Sequence, residues 1–203
     1  MIVIAHRGAS WERPENTLPA FERAIELGAD YVELDVHADA AGALVVTHAP
    51  PARGNAYPTL EQALELCRGR IGVMVELKAA YRYRRWDVVA RTVALLGPED
   101  VLVCFQRAPL ERARLLRPGL RTVQHVGYGV SLRGAGAAWA AGFADARVTP
   151  RRLAAARRLA LRSLVYTVND PARMHELAAL GTDGIFTDRP ELALRVLRVS
   201  PSG

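Results

Sequence analysis

Two pairs of polar residues stand apart because each has a spacing of two inside an otherwise apolar run. Glu33 and Asp35 lie in Tyr31-Val32-Glu33-Leu34-Asp35-Val36, and Glu76 and Lys78 close Gly72-Val73-Met74-Val75-Glu76-Leu77-Lys78. Side chains two apart on an extended strand share a face, so each pair points one way. Three carboxylates gathered at the same end of neighbouring strands would repel strongly without a cation between them. Oxygen-only donors suit a hard ion, so Glu33, Asp35 and Glu76 read as a site for one divalent cation, Mg²⁺ or Ca²⁺, rather than Zn²⁺. Lys78 is the only lysine of the chain, whose other basic residues are all Arg. A compact ammonium beside Glu76 marks a place where a planar guanidinium would not serve. His6, in His6-Arg7-Gly8, and His48, after Leu44-Val45-Val46-Thr47, add two groups that titrate near neutrality. Thr167 and Asn169 repeat the spacing of two late in the chain.

These residues need elements that bring them to one place. Short β-branched runs recur at Ile2–Ala5, Tyr31–Val36, Leu44–His48, Gly72–Lys78, Val101–Phe105, Arg121–Val126, Phe143–Arg147, Ser163–Val168 and Gly184–Thr187. Helical patterns separate most of them, at Thr17–Leu27, Thr59–Cys67, Asp87–Leu96, Leu110–Leu116, Pro150–Leu159, Ala172–Leu180 and Glu191–Leu197. Thr17 and Thr59 are placed to cap helices, and Gln62 three residues after Thr59 completes a capping-box spacing. Gly28, Gly97 and Gly181 fall where helices should stop. Strand–helix alternation predicts a parallel sheet covered by helices. The runs around Ala41-Gly42 read as an adjoining pair, which leaves about eight βα units, enough for a compact closed (β/α)8 barrel. In such a barrel chemistry sits at the C-terminal ends of the strands, where His6, Glu33, Asp35, His48, Glu76 and Lys78 all fall. A doubly wound open sheet is the alternative, but no Gly-rich phosphate loop follows the first strand.

Half of the 203 residues are hydrophobic, and no linker-like tract divides them, so residues 1–203 are expected to form a single domain. The formal net charge of +6 comes with no aromatic residues interleaved among the arginines, as a single-stranded nucleic-acid platform would require, so a nucleic-acid partner is not expected. No apolar stretch approaches the roughly 20 residues of a membrane helix, and the opening Met1-Ile2-Val3-Ile4-Ala5-His6 lacks a signal peptide's basic lead-in. Cys67 and Cys104 lie in apolar runs and read as buried thiols, in keeping with a cytoplasmic protein. Nothing in the sequence sets an oligomeric state.

Taken in order, His6-Arg7-Gly8, Pro14-Glu15-Asn16-Thr17 with Ala20-Phe21, and Gly28-Ala29-Asp30 leading to Glu33-Leu34-Asp35-Val36 resemble the glycerophosphodiester phosphodiesterases. The likeness continues through Val45-Val46-Thr47-His48, Pro58-Thr59-Leu60-Glu61, Glu76-Leu77-Lys78, Thr167-Val168-Asn169 and the stretch Gly181–Pro190. The resemblance implies a TIM barrel and metal-dependent hydrolysis of a small-molecule glycerophosphodiester to glycerol 3-phosphate and an alcohol. It implies Glu33, Asp35 and Glu76 as metal ligands, and His6 and His48 as general acid and base in an order it leaves open. It implies Arg7 and Lys78 as the phosphate-binding pair, with Glu15 and Asn16 shaping the first βα loop near the metal.

The chain also departs from the family pattern. Ala49 follows His48 where the family usually has Asp, and only Ala49 to Tyr57 separates His48 from Pro58-Thr59-Leu60, where relatives insert a small subdomain. The site is therefore expected to be more open. Tyr166 stands in place of Trp before Thr-Val-Asn, and Cys104-Phe105 replaces Ser-Phe, with a structural role expected for the thiol. Two other readings compete: a lysophospholipase D-like activity, for which Trp11 and Tyr57 are the candidate apolar rim residues, and a barrel that binds a phosphorylated ligand without turning it over. Arg82, Tyr83, Arg84 and Arg85 read as a solvated loop.

Overall fold

The computed structural model describes residues 1–127 and 129–198, so the last five residues of the expected domain lie outside the described part. Its strands are β1 (Ile2–His6), β2 (Tyr31–Ala38), β3 (Leu44–Val46), β4 (Gly72–Leu77), β5 (Val101–Cys104), β6 (Arg121–Val126), β7 (Ala140–Ala144), β8 (Arg162–Tyr166) and β9 (Gly184–Thr187). The α-helices are α1 (Leu18–Leu27), α2 (Leu60–Cys67), α3 (Val88–Leu95), α4 (Arg107–Leu116), α5 (Pro150–Arg158), α6 (Pro171–Ala179) and α7 (Pro190–Arg198). Eight strands close in the order β1-β2-β4-β5-β6-β7-β8-β9, every neighbouring pair parallel and β9 returning to β1. β3 lies outside the ring, antiparallel to the end of β2, with Val36 opposite Val46 and Ala38 opposite Leu44. This is the closed (β/α)8 barrel that the alternation predicts.

Local chemistry sets the helix ends. Thr17 accepts a bond from Ala20 N at the start of α1, and Gly28 ends that helix at φ 77°, a left-handed conformation that glycine takes without a Cβ penalty. Thr59 and Gln62 form the expected reciprocal capping box at α2. Thr149 and Asp170 cap α5 and α6, each followed by proline in the first turn.

The pleat then decides what faces inward. Ile4, Met74, Val101, Val103, Val123, Ala140, Leu164 and Phe186 form a buried cluster inside the ring, with Tyr31 packed against it. A second, larger set including Phe21, Leu34, Leu60, Val75, Leu102 and Leu110 fills the space between strands and helices. Burying a side chain such as Leu102 contributes about 2 kcal/mol, so this layer holds the ring closed from outside. Two residues beyond five of the inward-facing residues the chain places a polar one: His6 after Ile4, Glu33 after Tyr31, Glu76 after Met74, His125 after Val123 and Asp188 after Phe186.

Two elements differ from the sequence reading. The seventh strand is Ala140–Ala144, not Phe143–Arg147, because the inner face there takes small residues. A Cβ on Gly142 would stand 2.1 Å from His125 Nδ1, so His125 occupies the space that a side chain at 142 would need. The third run forms a strand only over Leu44–Val46, so Thr47 and His48 leave the sheet and begin a loop.

Candidate active site

All of the charged residues singled out by spacing converge at the C-terminal ends of β1, β2 and β4. The register places His6 beside Glu33 and Asp35 beside Glu76, which stacks the carboxylates on neighbouring strands. Glu33, Asp35 and Glu76 are buried, and each offers an oxygen within 4.8 Å of those of the other two. Burial and the neighbouring Asp35 push the Glu33 carboxyl up to about 8. Burial likewise raises Glu76, against the pull of Lys78. Asp35 is held below the ordinary carboxylate range: burial opposes this, but Lys78, Arg7 and Asn16 outweigh it.

Asp35 is the hub. Its Oδ2 accepts from Asn16 Nδ2 at 3.0 Å and pairs with His48 Nδ1 at 3.1 Å, and Arg7 Nε stands 3.0 Å from the same oxygen. Lys78 Nζ lies 2.8 Å from Asp35 Oδ1 and 2.7 Å from Glu76 Oε1. Both contacts are charge-assisted hydrogen bonds from the ammonium. Three buried carboxylates whose oxygens lie within 4.8 Å of one another form an oxygen-only donor set that fits a small hard cation.

Local backbone geometry builds the first βα loop around this hub. Arg7 has φ 57° and Asn16 φ 58°, an uncommon left-handed conformation for side chains other than glycine. Arg7 N donates to Glu33 Oε2 at 3.0 Å, and Asn16 N donates to Arg7 O at 3.0 Å. Gly8, at φ 82°, leaves no room for a Cβ, which would lie 2.7 Å from Ala20 on α1. Glu15 holds the Arg7 guanidinium at 2.7 Å, and Arg7 Nη2 comes to 3.5 Å of His48 Nε2. Glu15 therefore acts on the loop through Arg7, whereas Asn16 reaches the carboxylate cluster itself. Both Arg7 and Lys78 face carboxylates in this arrangement, with their charge at the rim of the cluster.

Asp188 is the residue that the spacing argument left without a role. Its Oδ1 lies 2.7 Å from His6 Nδ1, and its Oδ2 accepts from Asn169 Nδ2 at 2.6 Å. Ser10 Oγ donates to His6 O and lies 3.2 Å from Asp188 Oδ1. Burial works against a charged His6, but the Asp188 bond and the nearby Glu33 outweigh it and raise the imidazole above its ordinary 6.5. Asn169, found by its spacing with Thr167, thus serves Asp188 rather than the carboxylate cluster. His125 forms part of the floor, 3.9 Å from Glu76 Oε2 and against the rings of Phe105 and Tyr166. Burial, reinforced by Lys78, pushes it down to about 3, so it is neutral at working pH. Neither His125 nor Asp188 has a polar residue two positions away, so the paired spacing that found Glu33 passes over both.

Of the rim residues, Trp11 is 67% exposed and stacks beneath the Arg189 guanidinium at 4.7 Å, whereas Tyr57 bonds Ala52 N and Asn55 within its own loop. Cys104 is buried, takes the Gln106 N–H on its sulfur and is pushed up to about 12 by burial, as a structural thiol would be.

The model of the glycerophosphoryl diester phosphodiesterase family matches residues 6–50 and 49–192, its two segments meeting where His48 is followed by Ala49. A glycerophosphodiester phosphodiesterase of Bacillus altitudinis is 28% identical over 248 aligned positions, covering 96% of this chain and 97% of that protein. At least 45 of those positions have no counterpart in a chain of 203 residues, in keeping with a shortened barrel. The crystal structure of a glycerophosphodiester phosphodiesterase from Parabacteroides distasonis superposes with a TM-score of 0.85 at 26% identity, over 97% of this chain and 96% of that one. An Oleispira antarctica phosphodiesterase, solved in complex with its product sn-glycerol-3-phosphate, has the same fold, with a TM-score of 0.87 at 21% identity over 98% of this chain and 97% of that one. A match that begins at His6 and runs past Asp188 takes in every residue of the cluster, and the chain belongs to the glycerophosphoryl diester phosphodiesterase family.

Proposed function

We propose that this protein hydrolyses glycerophosphodiesters to glycerol 3-phosphate and an alcohol, with a divalent cation at Glu33, Asp35 and Glu76 and proton transfer by His6 and His48. One observation carries the reading: two imidazoles, each tied through Nδ1 to a carboxylate, flank a buried three-carboxylate cluster. A bound Mg²⁺ or Ca²⁺ would supply Lewis-acid polarisation of a phosphoryl oxygen. Both histidines have Nδ1 turned to a carboxylate; this leaves Nε2 of His6 for the substrate, and Nε2 of His48 faces the site beside Arg7 Nη2, 3.5 Å away. The raised pKa of His6 suits it to hand a proton to the leaving alkoxide. His48, 47% exposed at its side chain, would take the proton of the attacking water, whose oxygen ends on the phosphate of glycerol 3-phosphate as the alcohol leaves. Arg7 and Lys78 would meet the charge that gathers on the phosphoryl oxygens.

Among the described residues no helix is long and apolar enough to cross a membrane, and both cysteines are free and buried. The reading keeps the protein in the cytoplasm and a small diester as its partner. One observation favours a second reading, on lysophospholipids: Trp11 and Tyr81, 67% and 57% exposed, lie on loops that follow β1 and β4.

The test is release of glycerol 3-phosphate from glycerophosphocholine, glycerophosphoethanolamine and a lysophospholipid, with Mg²⁺, with Ca²⁺ and with chelator. Metal-dependent turnover lost in both His6→Ala and Glu33→Ala is the expected result. Tight, metal-dependent binding of glycerol phosphate without turnover would make the protein a binding barrel.

A further inference from the structure

His48 is the site residue with the weakest support from secondary structure. It follows a strand of three residues and opens the loop 49–57, most of which is exposed. Thr47 N, one residue before His48, bonds the Asp35 carbonyl on β2, but Ala49 brings no polar side chain and the bonds beyond, from Thr47 Oγ1 to Ala49 O and from Ala52 N to the Tyr57 hydroxyl, stay within the loop. The pairing of His48 Nδ1 with Asp35 nevertheless requires that the backbone at 48 stay in place. The His48 carbonyl is held from β2. His37, buried near the end of that strand, brings its Nε2 to 3.2 Å from His48 O, and its Nδ1 to 2.7 Å from the Tyr83 hydroxyl. The rings of His37 and Tyr83 also meet edge to face, with centroids 5.7 Å apart at 87°.

The hydrogen-bonding partners order this chain of contacts. A carbonyl oxygen only accepts, so His37 Nε2 carries the proton and donates to His48. In the neutral ring Nδ1 is then an acceptor, and the Tyr83 hydroxyl donates to it. Tyr83 sits in the helical turn Ala80–Trp86 that follows Lys78, so a residue of the segment after β4 fixes the tautomer of a residue on β2. That histidine in turn fixes the main chain of a residue beyond β3.

We propose that His37 and Tyr83 are positioning residues for His48, a clamp that sets the height of its imidazole over Asp35. The inference rests on the catalytic role given to His48 above. It assigns the Tyr83 hydroxyl, in a segment that otherwise reads as a solvated arginine-rich loop, an effect on turnover without contact with the substrate.

The experiment compares wild type, His48→Ala, His37→Leu, His37→Gln and Tyr83→Phe in kcat and KM for glycerophosphocholine, alongside amide hydrogen exchange of the segment 45–57. His37→Leu is expected to lower kcat about tenfold, with KM within about twofold of wild type. His37→Gln, whose amide N–H can still reach the carbonyl, is expected to recover most of that loss. Tyr83→Phe keeps the ring and its edge contact, so it folds even if a change at the buried His37 does not. It is expected to lower kcat about threefold and to speed exchange in the loop. Wild-type kcat and exchange in Tyr83→Phe, or a Gln variant no better than Leu, would overturn the clamp while leaving the catalytic reading standing. An inactive wild type, or an active His48→Ala, would overturn the catalytic reading and the clamp with it.

Discussion

His6 and His48 make the same type of contact, Nδ1 to a carboxylate, on two differently built edges of the site. His6 ends a strand of the ring, is 17% exposed at its side chain, and pairs with Asp188, which is itself bound by Asn169 and Ser10. His48 is 47% exposed, lies outside the ring, and shares its carboxylate with Arg7, Lys78 and Asn16. One edge owns its carboxylate; the other borrows the hub of the three-carboxylate cluster. The first can be changed at Asp188 without removing a member of the carboxylate cluster, which His6 feels through the charge of Glu33, whereas any change at Asp35 strikes the cluster and the histidine together.

The largest expected effect is therefore at the shared hub. Asp35→Ala would leave Lys78, Arg7, His48 and Asn16 without their common partner and remove one of the three proposed cation ligands. Activity should fall by about 10³-fold or more, and added Mg²⁺ or Ca²⁺ should not restore it. Assay across a metal titration checks this, and recovery at high metal would show that Asp35 is not a required ligand. Asp188→Asn should cost less, about 10²-fold in kcat, with metal affinity by calorimetry close to wild type. A parallel loss of metal binding would erase the distinction between the two edges.

The same substitution sharpens the comparison through pH. His6 is raised above 6.5, so its pairing stabilises the fold fully below about pH 6.5, and that part is lost as pH rises through the raised folded value. Asp188 is depressed below 3.8, because the bonds from His6, Asn169 and Ser10 outweigh its burial, so its part is lost as pH falls through the lower folded value. The stability gap between wild type and Asp188→Asn should be widest between about pH 4 and 6.5 and narrow on either side. Urea midpoints across pH would show it, and a gap that grows steadily above neutrality would contradict the assignment. In the variant, burial acts on His6 without the Asp188 bond, so the His6 limb of the kcat/KM profile should move to lower pH.

Away from both edges, Gly142→Ala tests the floor. Its Cβ would collide with the His125 ring, at a cost of about 1–3 kcal/mol seen as a lower Tm. The smallest effect is expected for Trp11→Ala. The ring is exposed and, among the described residues, stacked by Arg189, so stability should stay within about 0.5 kcal/mol of wild type while activity on a lysophospholipid tests the second reading.

The carboxylates and Lys78 were legible in the sequence because the period of a strand is local: two residues apart means one face, and an apolar frame identifies the strand. β7 was not, since Ala140-Ala141-Gly142 has neither β-branched residues nor alternation, and its small residues answer to His125 on the neighbouring strand. The short β3 was overread because Thr47 continues the β-branched run of Val45 and Val46; its N–H makes a last in-register bond to the Asp35 carbonyl, and beyond it the chain turns away at His48. Asp188 sat in a recognised motif with no role, because its partner is 182 residues away in sequence and only the pairing of β9 with β1 brings them together. His37 and Tyr83 give no local signal for the same reason: their link joins β2, the turn after β4 and the His48 loop.

That 182-residue separation carries a consequence for how activity appears during synthesis. The three proposed cation ligands and His48 are all present once the chain has passed Lys78, but Asp188 emerges more than a hundred residues later. On the proposed mechanism a nascent chain can thus assemble the ligand set while His6 still lacks its partner, and full turnover waits until the last strand has docked against the first. Phosphodiester cleavage would then report ring closure, giving an enzymatic clock for the slowest, longest-range pairing in the molecule.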